Sequence, residues 1–297
     1  MRHRRSFRIE AVLNAAALAA ALLPGAAAAE SATPATAPAV FPAPTSLRLL
    51  GPELSLGTSV VLVRPKDTDA ASEALVRKVL TAAGVRKIRV ATTPASEPNT
   101  VQVVLGLSET ASVRSALEQT GAALPERDEA YALGSRASGT GVTIVLAGKD
   151  SDGLYHAAQT FRQLVTAGQM PSVAITDAPA MPVRGSIEGF YGKPWSMAER
   201  EDHLAFLARF KANTYIYSPK DDVFARERWR EPYPAATLKA LGRVVEVANR
   251  EHINFVYALS PGPSVCYSDP AELDAIRRKF SALRKRGVRS FYVAFDD

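Results

Sequence analysis

The chain is 297 residues long, enough for one large domain or two ordinary ones, and its 47% hydrophobic and 22% charged residues are typical of a soluble globular protein. Residues 1–29 carry four of the 36 basic residues and one of the 30 acidic residues, so the formal charge of +6 falls to +3 without them. Because the remaining basic residues are scattered along the sequence, this charge does not predict a nucleic-acid partner.

The first 29 residues are typical of a secretory signal peptide. Four arginines within the first eight residues precede an apolar run from Ala11 to Leu23, and Ala27-Ala28-Ala29 offers a cleavage pattern of small residues. The apolar run is too short to span a bilayer comfortably. We therefore expect an exported, secreted protein with no membrane span after signal removal; a retained membrane anchor is the alternative.

Cysteine and histidine usage argues against a metal site. Cys266 is the only cysteine, which excludes an intrachain disulfide, and the four histidines show no ligand spacing. No phosphate-binding glycine motif follows a predicted strand, which argues against nucleotide enzymes. We predict no metal and no cofactor.

Residues 30–45 are rich in Ala, Pro and Thr and predict a linker, and residues 46–180 predict a small accessory domain of α/β or α+β type. Within the accessory domain, runs rich in β-branched residues predict strands, and apolar spacing predicts helices. The predicted strands are Val60–Val63, Ile88–Val90, Val101–Leu105 and Val142–Leu146, and the predicted helices are Ala70–Ala83 and Gly153–Ala167.

Residues 181–297 predict repeated strand–helix units. Each of the three helices between the predicted strands has its own signals, such as Ser196 and Glu199 as a capping box before the first, and Asp269 and Pro270 at the start of the third. In the third helix the apolar stripe begins at Leu273. The pattern predicts a parallel sheet, either doubly wound or a (β/α)₈ barrel. The predicted strands are Ser186–Phe190, Thr214–Ser218, Asn254–Leu259 and Ser290–Phe295.

Polar side chains follow each of these strands. Tyr191, residues 220–222, Ser260 and the pair Asp296-Asp297 all come directly after a strand, at the edge where parallel sheets bind ligands. Paired carboxylates flanked by aromatic residues suit glycoside hydrolysis, which needs an acid for the leaving oxygen and a second group for the anomeric carbon. Two adjacent aspartates are, however, also common as turn residues.

Five segments of this region, in order, resemble motifs of glycoside hydrolase family 84, a family of β-N-acetylglucosaminidases that includes O-GlcNAc hydrolases and bacterial hexosaminidases once called hyaluronidases. The segments are Arg184–Trp195, Asn213–Asp222, Trp229–Tyr233, Ala258–Gly262 and Val288–Asp297. More loosely, Glu129–Leu133 and Gly153–Thr160 resemble the α/β domain that precedes the barrel in these enzymes. The resemblance implies an N-terminal α/β domain followed by the first half of a (β/α)₈ TIM-type barrel.

The resemblance also implies a site and a mechanism. Asp296 would orient the 2-acetamido group of the sugar, whose oxygen acts as nucleophile, and Asp297 would serve as general acid and base. Gly189, Tyr191 and Lys220 would bind the substrate, a glycan or glycoprotein containing N-acetylglucosamine. Read without the family, Lys220 could instead pair with a neighbouring aspartate, and Gly189 could be a hinge between strand and loop.

Five further residues are expected to support the loops. Asp221 and Asp222 would stabilise their own loop, and Trp195, Trp229 and Arg230 would fix loops by packing.

The number of strands is the largest departure from the family pattern. A (β/α)₈ barrel takes about 250 residues, whereas residues 181–297 predict only four strands. We therefore expect the chain to be a fragment, truncated after strand 4, that is inactive alone. Two alternatives stay open: a family 20-type β-hexosaminidase, which uses an Asp-Glu pair, and a non-catalytic glycan-binding protein. The oligomeric state is not predicted.

Overall fold

The computed structural model describes residues 37–95, 98–139 and 141–295. The predicted signal peptide (1–29), the beginning of the predicted linker, and both Asp296 and Asp297 lie outside the described residues. No helix in the described part of the chain is long and apolar enough to cross a membrane.

Residues 46–177 form a seven-stranded mixed sheet with three helices. The strand order is β1-β7-β5-β6-β4-β2-β3; β2, β3, β4 and β6 are parallel, whereas β5 and β7 pair antiparallel with their neighbours and β1 pairs antiparallel with β7. The strands are β1 Ser46–Ser55, β2 Ser59–Val63, β3 Lys87–Ala91, β4 Val101–Leu107, β5 Tyr131–Ser138, β6 Gly141–Gly148 and β7 Gln169–Asp177, and the helices are α1 Ala70–Ala82, α2 Ala111–Thr120 and α3 Ser151–Leu164.

Both faces of this first sheet are covered by helices. Residues of α1 and α3 join one core cluster and residues of α2 join another, so alternate residues of one strand are buried on opposite faces. In β2, for example, Leu62 packs with α1 and α3, and Val61 packs with α2. Continuous apolar runs suit strands that are buried on both sides.

Residues 185–293 form a second sheet of four parallel strands, in the order β11-β10-β9-β8. The strands are β8 Gly185–Glu188, β9 Thr214–Tyr217, β10 Asn254–Leu259 and β11 Ser290–Val293, and the helices are α4 Met197–Arg209, α5 Ala235–Arg250 and α6 Pro270–Arg284. The three helices and one face of the sheet share a single core cluster. The mixed α/β fold class is confirmed, and the second sheet has the strand order expected of half a barrel.

Predicted and observed elements differ in a few places. The capping box of Ser196 and Glu199 and the Asp269 cap with Pro270 are confirmed. Strands β1, β5 and β7 and helix α2 were not predicted. The prediction that the apolar stripe starting at Leu273 forms the buried face of α6 is only partly confirmed. Leu273 lies at the margin of that face and is 50% exposed, whereas Lys279 is buried.

Two polar clusters join the two sheets, which belong to one compact unit. In the first, Glu129 accepts hydrogen bonds from His156 Nε2 (2.9 Å), Asn213 Nδ2 (2.8 Å) and the guanidinium of Arg184. Burial of Glu129 opposes its ionisation, but the bonds from His156 and Arg184 outweigh that effect and lower its pKa to about 2. Burial lowers the pKa of His156, so its ring is neutral and donates to Glu129.

In the second cluster, His252 lies between Asp152 (2.6 Å) and Asp69 (3.3 Å) and stacks on the ring of Tyr155 at 4.4 Å. Burial opposes protonation of His252, yet the hydrogen bonds to the two carboxylates raise its pKa to about 9. Tyr155 donates to Glu251 at 2.6 Å. The two N-terminal segments that resemble the family therefore contribute Glu129, His156 and Tyr155 to the interface between the sheets.

Candidate active site

The candidate site lies at the carboxyl edge of the second sheet, where three strand–helix loops and the segment after β11 meet. Backbone hydrogen bonds join the segments after β9, β10 and β11, because Ser260 N donates to Ala225 O at 2.9 Å and Ala294 N donates to Leu259 O at 2.8 Å. These three segments thus form a connected layer above the parallel strands.

Two of the predicted substrate-binding residues meet at this edge. Lys220 Nζ lies 5.7 Å from the ring centroid of Tyr191, within the range of a cation–π contact. Tyr191 is 81% exposed, so most of the ring is free to contact a ligand. Among the described residues Lys220 makes no ion pair, and the alternative pairing with Asp221 or Asp222 is not observed.

The third predicted substrate-binding residue, Gly189, follows β8. Its φ is not in the left-handed region, and an added Cβ would meet only Ile187 Cγ2, at 3.4 Å. The hinge interpretation of Gly189 therefore finds no support in its backbone conformation. Within the described part of the chain, neither a turn nor close packing requires glycine at this position.

Asp222 has a structural place in the loop after β9. Its carboxylate accepts hydrogen bonds from the hydroxyls of Tyr217 and Tyr233, each at 2.7 Å, and from the backbone of Phe224 and Ala225. Burial and then the charge of Asp222 raise the pKa of Tyr217, so the phenol stays protonated and donates. The expectation that Asp222 supports its loop agrees with these contacts.

A buried ion pair beneath the site is a feature that the sequence analysis missed. Glu188, the last residue of β8, is 1% exposed and forms a bidentate pair with Arg200 of α4, with distances of 2.6 and 2.8 Å. Tyr215 also donates to the Glu188 carboxylate. Strand alternation could have indicated this pair. Glu188 lies two residues after Ser186, so both side chains are on the face of β8 that is turned towards the helices.

The predicted packing residues fix the surrounding loops. Trp229 is fully buried and donates to Ser264 Oγ at 3.1 Å, and Arg230 lies 4.4 Å from its ring while pairing with Glu272 at 2.6 Å. Trp195 lies between the rings of Phe190 and His203. These contacts agree with the expected role of both tryptophans and of Arg230.

Asp296 and Asp297 lie outside the described residues, but the chain that leads to them is described. Strand β11 ends at Val293, and the next two residues, Ala294 and Phe295, lie outside the strand. Phe295 lies 5.6 Å from Tyr267, and both rings are exposed. No group of three or more potential metal ligands occurs among the described side chains.

Comparison with known proteins gives two family matches. Residues 184–297 match the model of a beta-N-acetylglucosaminidase family, and residues 37–178 match domain 2 of glycosyl hydrolase family 20. The first match covers the second sheet and the second match covers the first sheet.

Curated relatives match a little over a third of the chain. Protein O-GlcNAcase of Rattus norvegicus and that of Mus musculus are each 40% identical over 113 residues, which is 38% of this chain and 12% of the relative. The chain therefore aligns with about one eighth of the length of these relatives.

Solved structures match both regions. The structure of CpGH84B superposes with a TM-score of 0.75 at 29% identity and covers 87% of this chain, and that of CpGH84D superposes with a TM-score of 0.74 at 25% identity and covers 86%. In each case the match spans 44% of the solved chain. The order of the two regions is thus the same as in these larger proteins.

Proposed function

Residues 37–297 have the organisation of the N-terminal portion of glycoside hydrolase family 84 proteins, and from that premise we propose that the whole protein is a glycosidase that removes β-linked N-acetylglucosamine from glycans or glycoproteins. One observation carries the proposal: the carboxyl edge of the sheet that matches the β-N-acetylglucosaminidase family brings Tyr191 and Lys220 together. The same edge carries Gly189 and the strand that leads to Asp296 and Asp297.

The proposed reaction retains the configuration of the sugar through help from the substrate itself. The 2-acetamido oxygen attacks the anomeric carbon while the glycosidic bond breaks, and Asp297 gives its proton to the leaving oxygen. Asp296 holds the acetamido N–H as positive charge develops. Water then attacks the anomeric carbon of the resulting cyclic intermediate and gives a proton to Asp297, which restores the acetamido group and the acid. A nucleophile within the substrate has a high effective molarity.

Three residues are proposed to bind the sugar. Lys220 presents an ammonium group that makes no ion pair with any described residue, and it can donate to sugar hydroxyls. Tyr191 offers an exposed flat ring to the apolar face of a sugar. At Gly189 the absence of a side chain leaves the backbone open to close approach by a ligand.

We also propose that the protein is exported, on the signal-peptide pattern of residues 1–29. Activity is proposed to need more strands than the four of the second sheet. This is supported by the sheet face opposite the helices, where Ile187 is 62% exposed and Tyr292 is 48% exposed. A half barrel leaves such a face, and two strand edges, without partners.

The test is release of 4-nitrophenol from its β-N-acetylglucosaminide, with residues 30–297 beside the complete gene product. We expect turnover by the complete product only, and none with the matched β-glucoside, which lacks the acetamido nucleophile. Equal turnover of the two substrates would contradict the proposed mechanism. Binding of N-acetylglucosamine without turnover in a well-folded complete product would replace the enzyme with a glycan-binding protein, because exposed aromatic rings alone can hold a sugar.

A further inference from the structure

The pair formed by Glu188 and Arg200 is the most buried charged contact beneath the candidate site. The side chain of Glu188 is 1% exposed and that of Arg200 is 6% exposed, and both carboxylate oxygens are engaged by the guanidinium. The carboxylate also accepts from Tyr215, so it has three donors. This is a fully satisfied polar network inside an apolar core, which fixes side-chain geometry tightly.

The ion pair closes the loop that carries two of the proposed sugar-binding residues. Glu188 is the last residue of β8 and Arg200 lies in the first turn of α4, so the intervening residues 189–199 include Gly189 and Tyr191. A second contact closes the same loop slightly further out, where Ser186 Oγ and His203 Nε2 lie 2.7 Å apart. The two contacts hold both ends of the loop at a fixed separation, which reduces the number of conformations open to it.

Arg200 of this ion pair also contacts the strand that leads into the neighbouring loop. The guanidinium of Arg200 lies 5.1 Å from the ring centroid of Tyr217, the last residue of β9. The hydroxyl of Tyr217 donates to Asp222 at 2.7 Å, and Asp222 accepts from the backbone of Phe224 and Ala225. Asp222 is two residues from Lys220, so an uninterrupted set of contacts joins the loop of Tyr191 to the loop of Lys220.

Stability alone does not account for a charged pair at this place. A buried ion pair gains little over well-packed apolar residues of similar volume, because removal of both charges from water offsets their attraction. The pair instead fixes geometry, because a guanidinium and a carboxylate joined by two hydrogen bonds hold one relative orientation.

We propose that Glu188, acting with Arg200, is a positioning residue that sets the two loops so that Tyr191, Lys220 and the backbone of Gly189 face one bound N-acetylglucosamine unit. This inference rests on the proposed function for its ligand. The positioning of the loops themselves can be measured without any substrate.

The experiment compares the complete gene product with the double variant Glu188→Gln/Arg200→Met. Glutamine still offers Tyr215 an acceptor, and methionine fills the space of the arginine stem without a charge, so the pair is removed without leaving one charge buried. The matched control is Tyr155→Phe, which loses a hydrogen bond to Glu251 at the interface between the sheets, far along the chain from both loops. Amide hydrogen exchange of residues 189–195 and 218–225 is measured together with KM and kcat on the 4-nitrophenyl substrate.

The proposal expects exchange in both loops to accelerate about tenfold in the double variant, with strands β9 and β10 unchanged, as for a local loss of order. It also expects KM to rise about tenfold with a smaller change in kcat, because loose loops weaken binding before they alter the acid and base. The control should keep the parent's loop exchange and KM. Parent values of both quantities in a folded double variant would overturn the proposal.

Two further outcomes also bear on the proposal. If the double variant does not fold, Arg200→Lys takes its place, since lysine keeps the charge but loses the bidentate geometry; unchanged loop exchange in that variant overturns the proposal. If the parent itself turns over no substrate, the proposed function fails, and the exchange comparison still tells whether Glu188 and Arg200 position the two loops.

Discussion

The two sheets of this protein differ in how many of their faces are covered. In the first sheet, adjacent residues of one strand, such as Val61 and Leu62, are both buried, because helices pack on both faces. In the second sheet, the adjacent residues Ile187 and Glu188 are 62% and 1% exposed. Apolar residues nevertheless occupy the uncovered face, as strands buried on both sides require. Both faces of the first sheet are therefore covered by helices. The second sheet has an apolar face that remains exposed among the described residues.

The interface between the sheets explains how the second region is held. Glu129 and His252 connect it to the first region through ion pairs and hydrogen bonds. The comparison can be tested because both tryptophans, Trp195 and Trp229, belong to the second region. Their fluorescence reports that region, while far-ultraviolet circular dichroism reports both.

The largest effect is expected for Glu129→Ala. The change leaves Arg184, Asn213 and His156 without their shared acceptor, and breaking such a buried pair costs about 3–5 kcal/mol. Tryptophan fluorescence should then be lost at lower urea concentration than circular dichroism. Glu126→Ala is the control, since Glu126 pairs with Lys149 at the surface. Coincident and unshifted transitions in Glu129→Ala would contradict the role given to this contact.

A second pair of variants compares the two sheets directly. Leu62→Ala removes a fully buried side chain of the first sheet and should cost about 2–5 kcal/mol in urea unfolding. Ile187→Ala on the uncovered face should cost less than about 0.5 kcal/mol in the chain of residues 30–297. In the complete gene product the Ile187 variant should cost clearly more. The same small cost in both proteins would show that nothing covers this face.

The third prediction concerns pH. The pKa of His252 is raised to about 9 in the folded protein, so its ion pairs stabilise fully below pH 6.5, the ordinary value, and this stability is lost as pH rises through 9. The loss should be on the order of 2 kcal/mol. Lys211 acts in the opposite direction, because burial lowers its pKa to about 8. The difference in unfolding free energy between the parent and His252→Gln, measured from pH 6 to 10, isolates the histidine. A difference independent of pH would refute the assignment.

The smallest effect is expected at the start of α4, beside the candidate site. Ser196→Ala removes the side chain that caps Glu199 N at 3.2 Å and should cost about 1 kcal/mol. Ser196→Thr keeps the hydroxyl and is the matched control. Equal midpoints of urea unfolding for the alanine and threonine variants would show that the capping box contributes nothing.

Several parts of the fold could be predicted from the sequence, and the reasons are physical. Strands β2, β4 and β6 are apolar runs of β-branched residues and were predicted. Strand β5 was not, because its small residues, such as Gly134 and Ser135, have weak strand propensity. Strand β1 contains Gly51 and Pro52, and its pairing with β7 shifts register near Gly51. Such interruptions hide a strand from local pattern analysis.

The candidate site could be predicted only in part. Spacing alone indicated the sheet edge, and the family resemblance was needed to select Gly189, Tyr191 and Lys220. The contact of Lys220 with Tyr191 and the pair of Glu188 with Arg200 depend on which strands are neighbours, which no local pattern contains. Lys279 was missed for the same reason; it is buried beside the ring of Tyr233 at 4.7 Å.

The most direct test of the central claim is turnover of 4-nitrophenyl β-N-acetylglucosaminide by the complete gene product and its Asp297→Asn variant. Loss of the general acid and base should lower kcat by about 10²–10⁴ while the unfolding midpoint stays at the parent value. A folded Asp297→Asn variant with the parent's kcat would contradict the assignment of the catalytic pair.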